Sequence, residues 1–263
     1  MPPLRVEDLR TSPQLRLPAL ALGAVGGSFL RHDPVGELAA SARLAKWWPE
    51  FFLVLLREGV PVARAAAVPV AFPTAERPEL PDHGWDGALL WAAEDTLDGR
   101  PPTALVALEV YVAEAARGLG VAAAALGELK NRARRASLSR FVVPVRPTGK
   151  TAQPFEPMAD YLARRDQHGR AADPWLRRHE QLGAWPVKIA PFAMTVTATL
   201  AQWEQWTGIR LGDGCTAVPG GIAPVLAAPG QDLGVYVEPN VWFEHPLSAR
   251  PEPVSRPDAP GAR

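Results

Sequence analysis

AARGLGVAAAAL, residues 115–126, follows closely on the apolar run ALVALEVYV, residues 104–112. The run reads as a strand. The stretch from about Gly120 to Ala136 reads as a helix, with Val121, Ala125 and Leu129 on one face and Glu128, Lys130, Arg132 and Arg135 elsewhere. RFVVPVRP, residues 140–147, reads as the next strand. Strand, loop, helix, strand is a crossover unit, and such units join parallel neighbours. A glycine loop that opens directly into a helix aims several unpaired N–H groups and the positive end of the helix dipole at one point. That is an anion site, and phosphate is its usual occupant. The loop carries neither GxxxxGK followed by Ser or Thr nor GxGxxG, so neither the Walker nor the dinucleotide reading applies.

Working outward, GELAASARLAKWW reads as a helix ending at Trp47 and Trp48, and residues 51–72 as a β-hairpin around REGVP. WDGALLWAAEDTL, residues 85–97, has helical spacing in Trp85, Leu89 and Ala92. DPWLRRHEQLG, residues 173–183, is a helix with Asp173 as cap, Pro174 in the first position and Gly183 at the end. WPVKIAPFAMTV is extended, LAQWEQWTG a short helix and LGVYVEPNVWF extended again. The 263 residues, 47% hydrophobic, are enough for a substantial core. We expect one domain over residues 1–247, with an extended C-terminal part, and a disordered tail over 248–263, where SARPEPVSRPDAPGAR has too few apolar residues to pack.

Lys plus Arg equals Asp plus Glu, 28 each, so no bulk field favours nucleic acid or an anionic membrane, and neither is expected as a partner. Acids and prolines at the N-terminus and the lack of an 18-residue apolar run predict a cytoplasmic protein. The single cysteine, Cys215, reads as a small buried side chain beside a glycine turn. The histidines show no metal-ligand spacing, and no metal is expected.

Arg117, Gly118, Leu119, Gly120, Val121 and Ala122 resemble the Arg/Gln-x-x-Gly-x-Gly/Ala pyrophosphate loop of the GNAT superfamily of N-acetyltransferases. HEQLGA, residues 179–184, stands where that family commonly ends its next long helix in Tyr-x-x-Leu-Gly-Phe. The resemblance runs over roughly residues 104–200 and implies an α/β fold with a central mixed sheet flanked by helices. It implies acyl-CoA, with acetyl-CoA as the usual co-substrate, its pyrophosphate on the N–H groups of residues 118–122 beside Arg117. Its pantetheine arm would run along the strand, bonding main-chain groups near Val110 and Val112.

The implied reaction is direct attack of an amine on the thioester. That requires a base, an oxyanion donor and an acid for the thiolate. The Val110 N–H suits the oxyanion. Glu109 interrupts an apolar strand and is the candidate base, acting through water, or else a structural partner of an arginine. Strand alternation sends Leu105, Ala107, Glu109 and Tyr111 to one face. His179 occupies the position of the family's tyrosine acid and is either the acid or a helix-end histidine; Tyr161 is the fallback donor, with Tyr111 behind it. KNRARR, residues 130–135, is either a solvated face or a basic patch for the coenzyme's 3′-phosphate or an acyl carrier protein. The tryptophan-rich regions after residue 148 read mainly as packing, with EPN, residues 238–240, as a polar group worth testing. Three functions stay open: acyl transfer from acyl-CoA to a small-molecule or peptide amine, transfer or decarboxylation on a carrier-protein thioester, and a non-catalytic thioester-binding module.

Overall fold

The computed structural model describes residues 3–23, 26–38 and 41–247, so the tail expected over 248–263 lies outside the described residues. Nine strands form one mixed sheet: β1 (Arg5–Asp8), β2 (Phe52–Arg57), β3 (Val60–Val70), β4 (Ala104–Val112), β5 (Arg140–Val145), β6 (Trp185–Ala198), β7 (Gly214–Thr216), β8 (Val225–Ala228) and β9 (Leu233–His245). Their order is β1-β2-β3-β4-β5-β9-β8-β7, with β6 along the other edge of β9. The helices are α1 (Arg16–Leu20), α2 (Pro34–Leu38), α3 (Ser41–Trp47), α4 (Gly84–Asp98), α5 (Val121–Arg135), α6 (Met158–Ala163), α7 (Pro174–Gln181) and α8 (Leu200–Thr207).

The expected hairpin is β2 and β3, turning at Glu58 and Gly59, both at positive φ. The expected crossover is β4, α5, β5, and β4 and β5 are parallel. Their pairing is short. Only Ala104 to Val106 face Arg140 to Val142; beyond that β4 continues on β3, while β5 continues on β9 as far as Val145 opposite Val241. The two strands therefore splay apart toward their C-terminal ends. In α5 the buried residues Val121, Ala125, Leu126, Leu129 and Ala133 follow the helical repeat and pack across β3 and β4. Burying each leucine there stabilises the fold by about 1.5–3 kcal/mol.

One register detail corrects the strand reading. Ala66 faces Glu109 while its neighbour Ala67 faces Ala107, so Leu108 is an extra residue, a bulge. A bulge reverses the alternation. Ala107 shares a face with Leu105, whereas Glu109 and Tyr111 point to the opposite face, that of Arg64.

α4 carries the proline-rich link that precedes it, because Arg77, buried, donates to Asp95 at 2.8 Å. Its first residue, Gly84, sits at φ +41 with Ala193 Cβ 2.5 Å from where a Cβ would stand. Only glycine lets α4 approach β6 that closely. The segment between β6 and β9 adds α8, β7 and β8 around a second apolar cluster, in which Trp203 packs on Phe29 and donates Nε1–H to Gly234 O at 3.0 Å. Trp203 and Trp242 are fully buried packing residues. Cys215 is exposed on β7, contrary to the expectation from its glycine neighbour.

Candidate functional site

Gly118 and Gly120 both take φ +77, and a Cβ on either would meet nothing within 4 Å. Positive φ is what requires glycine here, and the empty space beside both is room for a ligand. Gly120 is the N-cap of α5 and has no side chain to cap the first turn, so the N–H groups that open the helix converge on that space. This is the position at which the loop is expected to cradle an anion. Arg117 folds back to Val112 O at 3.3 Å, tying the loop to the end of β4.

The KNRARR run does not reach it. Lys130 to Arg135 lie nine to fourteen residues further along α5, roughly 14–21 Å at the helical rise of about 1.5 Å per residue. There Arg132 pairs with Asp8 and Glu128, Arg135 with Glu128, and Arg134 donates to Leu247 O. The charge run is a set of structural contacts at the far end of the helix from the cradle.

Along β4, Ala113 N–H donates to Val62 O, so by alternation Tyr111 and Glu109 turn their main-chain groups to β3. Val110 and Val112 turn theirs the other way, into the splay, where β5 no longer pairs. Apart from Val112 O, which takes Arg117 Nε, that strand edge is unpaired beside a helix N-terminus, suited to an extended chain of amides ending in a pyrophosphate. Trp85 donates Nε1–H to the carbonyl of the bulge residue Leu108 at 3.0 Å, fixing the start of α4 against the same strand.

Three side chains were expected to move protons. Glu109 is 18% exposed and accepts from Arg64 at 2.5 and 3.1 Å, both through Oε1. Arg64 is buried, lies 5.1 Å from the Tyr111 ring centroid and donates to Ala19 O. Glu109 thus has a structural partner, while Oε2 is free to act. Tyr161 is buried, and its hydroxyl donates to Asp173 at 2.9 Å. Burial and Asp173 raise its pKa well above the usual phenol value, which makes it a poor acid. Asp173 in turn caps α7 through the N–H groups of Trp175 and Leu176, so Tyr161 belongs to the scaffold.

His179 is fully buried. Its Nδ1 is 2.9 Å from His245 Nε2, and the outer nitrogens of both rings have no partner. Burial first, and His245 second, bring His179 down to about 3, so at neutral pH it is the neutral imidazole and lacks the acidic imidazolium proton. His245 alternates with Glu238, Asn240 and Trp242 along β9, which places the pair and α7 on the opposite face from those three. The acid role expected for His179 does not survive this placement.

The feature missed in the sequence is a buried acidic cluster. Asp33 at the start of α2, Asp86 in the first turn of α4 and Glu238 on β9 are 0%, 6% and 0% exposed. Glu238 accepts from Arg146 Nε at 2.8 Å and from the Tyr236 hydroxyl at 2.6 Å. Asp33 and Asp86 lie close enough to hydrogen-bond once one of them is protonated. Asp33 also accepts the Val35 and Gly36 amides at 3.2 and 3.1 Å. Asp86 Oδ1 is buried without a partner. Burial, then the Asp33 carboxyl, push Asp86 up to about 9; burial raises Asp33 as well. At neutral pH the pair therefore shares a proton.

One stretch of chain joins the cluster to Glu109. Ala19 touches Arg64, Gly23 approaches Tyr111, Gly27 approaches Gly220, Phe29 packs on Tyr236, and Asp33 reaches Asp86.

Known proteins resemble this chain in sequence and in fold. The family model described as Acetyltransferase (GNAT) family matches residues 27–155. The arginine N-acetyltransferase avaD of Aspergillus versicolor is 36% identical over 207 residues, 71% of this chain and 70% of its own length. Two solved structures share the fold. The loading GNATL domain of CurA from Lyngbya majuscula aligns with a TM-score of 0.58 at 15% identity, over 93% of this chain and 97% of its own. The GphF GNAT-like decarboxylase in complex with isobutyryl-CoA aligns at 0.53 and 19%, over 93% and 100%.

Proposed function

This chain belongs to the acetyltransferase (GNAT) family, and from that premise we propose that it acylates arginine or a small molecule built on it. It is an enzyme that moves an acyl group from a coenzyme A thioester to an amine. The acceptor is the step beyond. The observation that carries it is the 36% identity to an arginine N-acetyltransferase over 71% of the chain, which takes in far more than a coenzyme-binding loop.

The donor fits the residues present. The N–H groups of Gly118 to Ala122 hold the pyrophosphate on the dipole of α5, and the open edge of β4 at Val110 and Val112 takes the pantetheine amides. When bound, the thioester supplies the activated acyl carbon. The Val110 N–H, aimed into the splay, stabilises the oxygen on which charge develops. Glu109 Oε2, held in place by Arg64 on Oε1, takes the proton of the attacking amine through water. On this reading the described residues form one catalytic domain that acts in the cytoplasm on a free coenzyme donor. Among the described residues no helix is long and apolar enough to cross a membrane.

Steady-state turnover with acetyl-CoA tests this, using L-arginine, L-citrulline, L-lysine and a neutral amino acid amide as acceptors. Free thiol released with arginine well above the neutral acceptors is the expected result. Equal turnover of all four, or none with arginine, overturns the acceptor reading and leaves the family intact.

A further inference from the structure

We propose that the buried carboxyl pair Asp33 and Asp86, backed by Glu238, is the seat for the guanidinium of the acceptor. This rests on the arginine reading above and names the residues that impose it. Three carboxyls converge in a dry place, and among the described residues the only guanidinium on them is Arg146, which Glu238 takes up. No lysine or arginine among the described residues pairs with Asp33 or Asp86, whose negative charge is met only by a shared proton and main-chain amides. Asp86 Oδ1, inside a residue 6% exposed, accepts nothing. Burying such a group without a partner costs about 1–3 kcal/mol. A planar cation with several N–H donors satisfies that oxygen and replaces the shared proton in one step.

Position supports the same occupant. Trp85, the residue before Asp86, hydrogen-bonds the bulge carbonyl of β4 two residues from the Val110 amide. Asp86 thus stands at the start of a helix pinned to the strand that presents the oxyanion donor. Arg146 and Tyr236 fix Glu238, whose charge favours the shared proton on the pair, without Glu238 itself being free to bind the ligand. A neutral isostere such as citrulline would leave the carboxyls unpaired, which is how a buried polar seat rejects a near-substrate.

The test compares the full-length enzyme with Asp33→Asn and Asp86→Asn. The kcat/KM ratio of L-arginine to L-citrulline should fall by about tenfold or more in each variant, through the KM for arginine, because a charge-assisted pair is lost. KM for acetyl-CoA should stay put, because the coenzyme loop is untouched. Calorimetry of L-arginine and of methylguanidine, in buffers of different ionisation enthalpy at pH 7.5, should show a proton released on binding to the wild type and none to Asp86→Asn. Arginine turnover with an unchanged ratio and no proton release overturns the seat but not the arginine reading. Methylguanidine binding with proton release, but no arginine turnover, keeps the seat and overturns the acceptor. No guanidinium binding at all overturns both.

Discussion

Arg64 places two nitrogens on one oxygen of Glu109, at 2.5 and 3.1 Å, and leaves the other oxygen unbonded. A carboxylate clamped on one side and free on the other can be both a structural partner and a base. Glu109→Gln separates the two roles, since the amide oxygen still accepts from Arg64 while the proton acceptor is gone. We expect kcat to fall by about 10²–10⁴-fold, the usual worth of a general base, with KM for acetyl-CoA unchanged. A rate within twofold of wild type, with a lowered melting temperature, would make Glu109 structural only.

Val substitution of Gly118 or Gly120 tests the cradle. Each residue sits at φ +77 beside open space, so a side chain meets backbone strain of about 1 kcal/mol and then fills the volume meant for the pyrophosphate. Stabilisation by coenzyme A, about 2.7 kcal/mol at a hundredfold excess over Kd in the wild type, should disappear in either variant. Retained stabilisation would move the coenzyme away from α5.

Elements carried by local signals were legible in the sequence, and those carried by register or tertiary approach were not. The glycine loop, the crossover and the Asp173 cap of α7 each depend on residues within a turn of one another. The bulge at Leu108 depends on how β4 pairs with β3, and it reversed the face assigned to Glu109. Two lone charges in neighbouring apolar strands, Arg64 in VARAAAV and Glu109 in LVALEVYV, were a readable sign of their ion pair. Asp33 reads as nothing more than a helix cap before Pro34. Asp86, three residues before Leu89 on the packed face of α4, was the available clue to the acidic cluster, but its partner is 53 residues away.

Tyr161→Phe should leave turnover unchanged. Its hydroxyl serves Asp173, and losing that bond should lower stability by about 1 kcal/mol. A tenfold fall in kcat with an unshifted melting temperature would return Tyr161 to the site as a proton donor.

The paired histidines make the fold acid-sensitive. Both are depressed by burial, His179 to about 3 and His245 to about 4, whereas in the unfolded chain each titrates near 6.5. Between those values the unfolded state binds more protons, so stability is full above pH 6.5 and is lost as pH falls toward 4. Each histidine contributes about 1.4 kcal/mol per pH unit in that window. The carboxyl pair acts the other way, because Asp86, raised from 3.8 to about 9, keeps a proton that the unfolded chain has given up, so its contribution is full at acid pH and is lost as pH rises to about 9. Melting temperature should therefore peak near neutrality. His179→Gln should flatten the acid limb alone. Asp86→Asn should remove this loss, so that its stability relative to the wild type rises progressively between about pH 4 and 9 and the acid limb becomes steeper, the sign of a buried group kept for binding at the expense of the fold. An acid limb unchanged in His179→Gln would mean that the pair is already hydrated and titrates as in the unfolded chain.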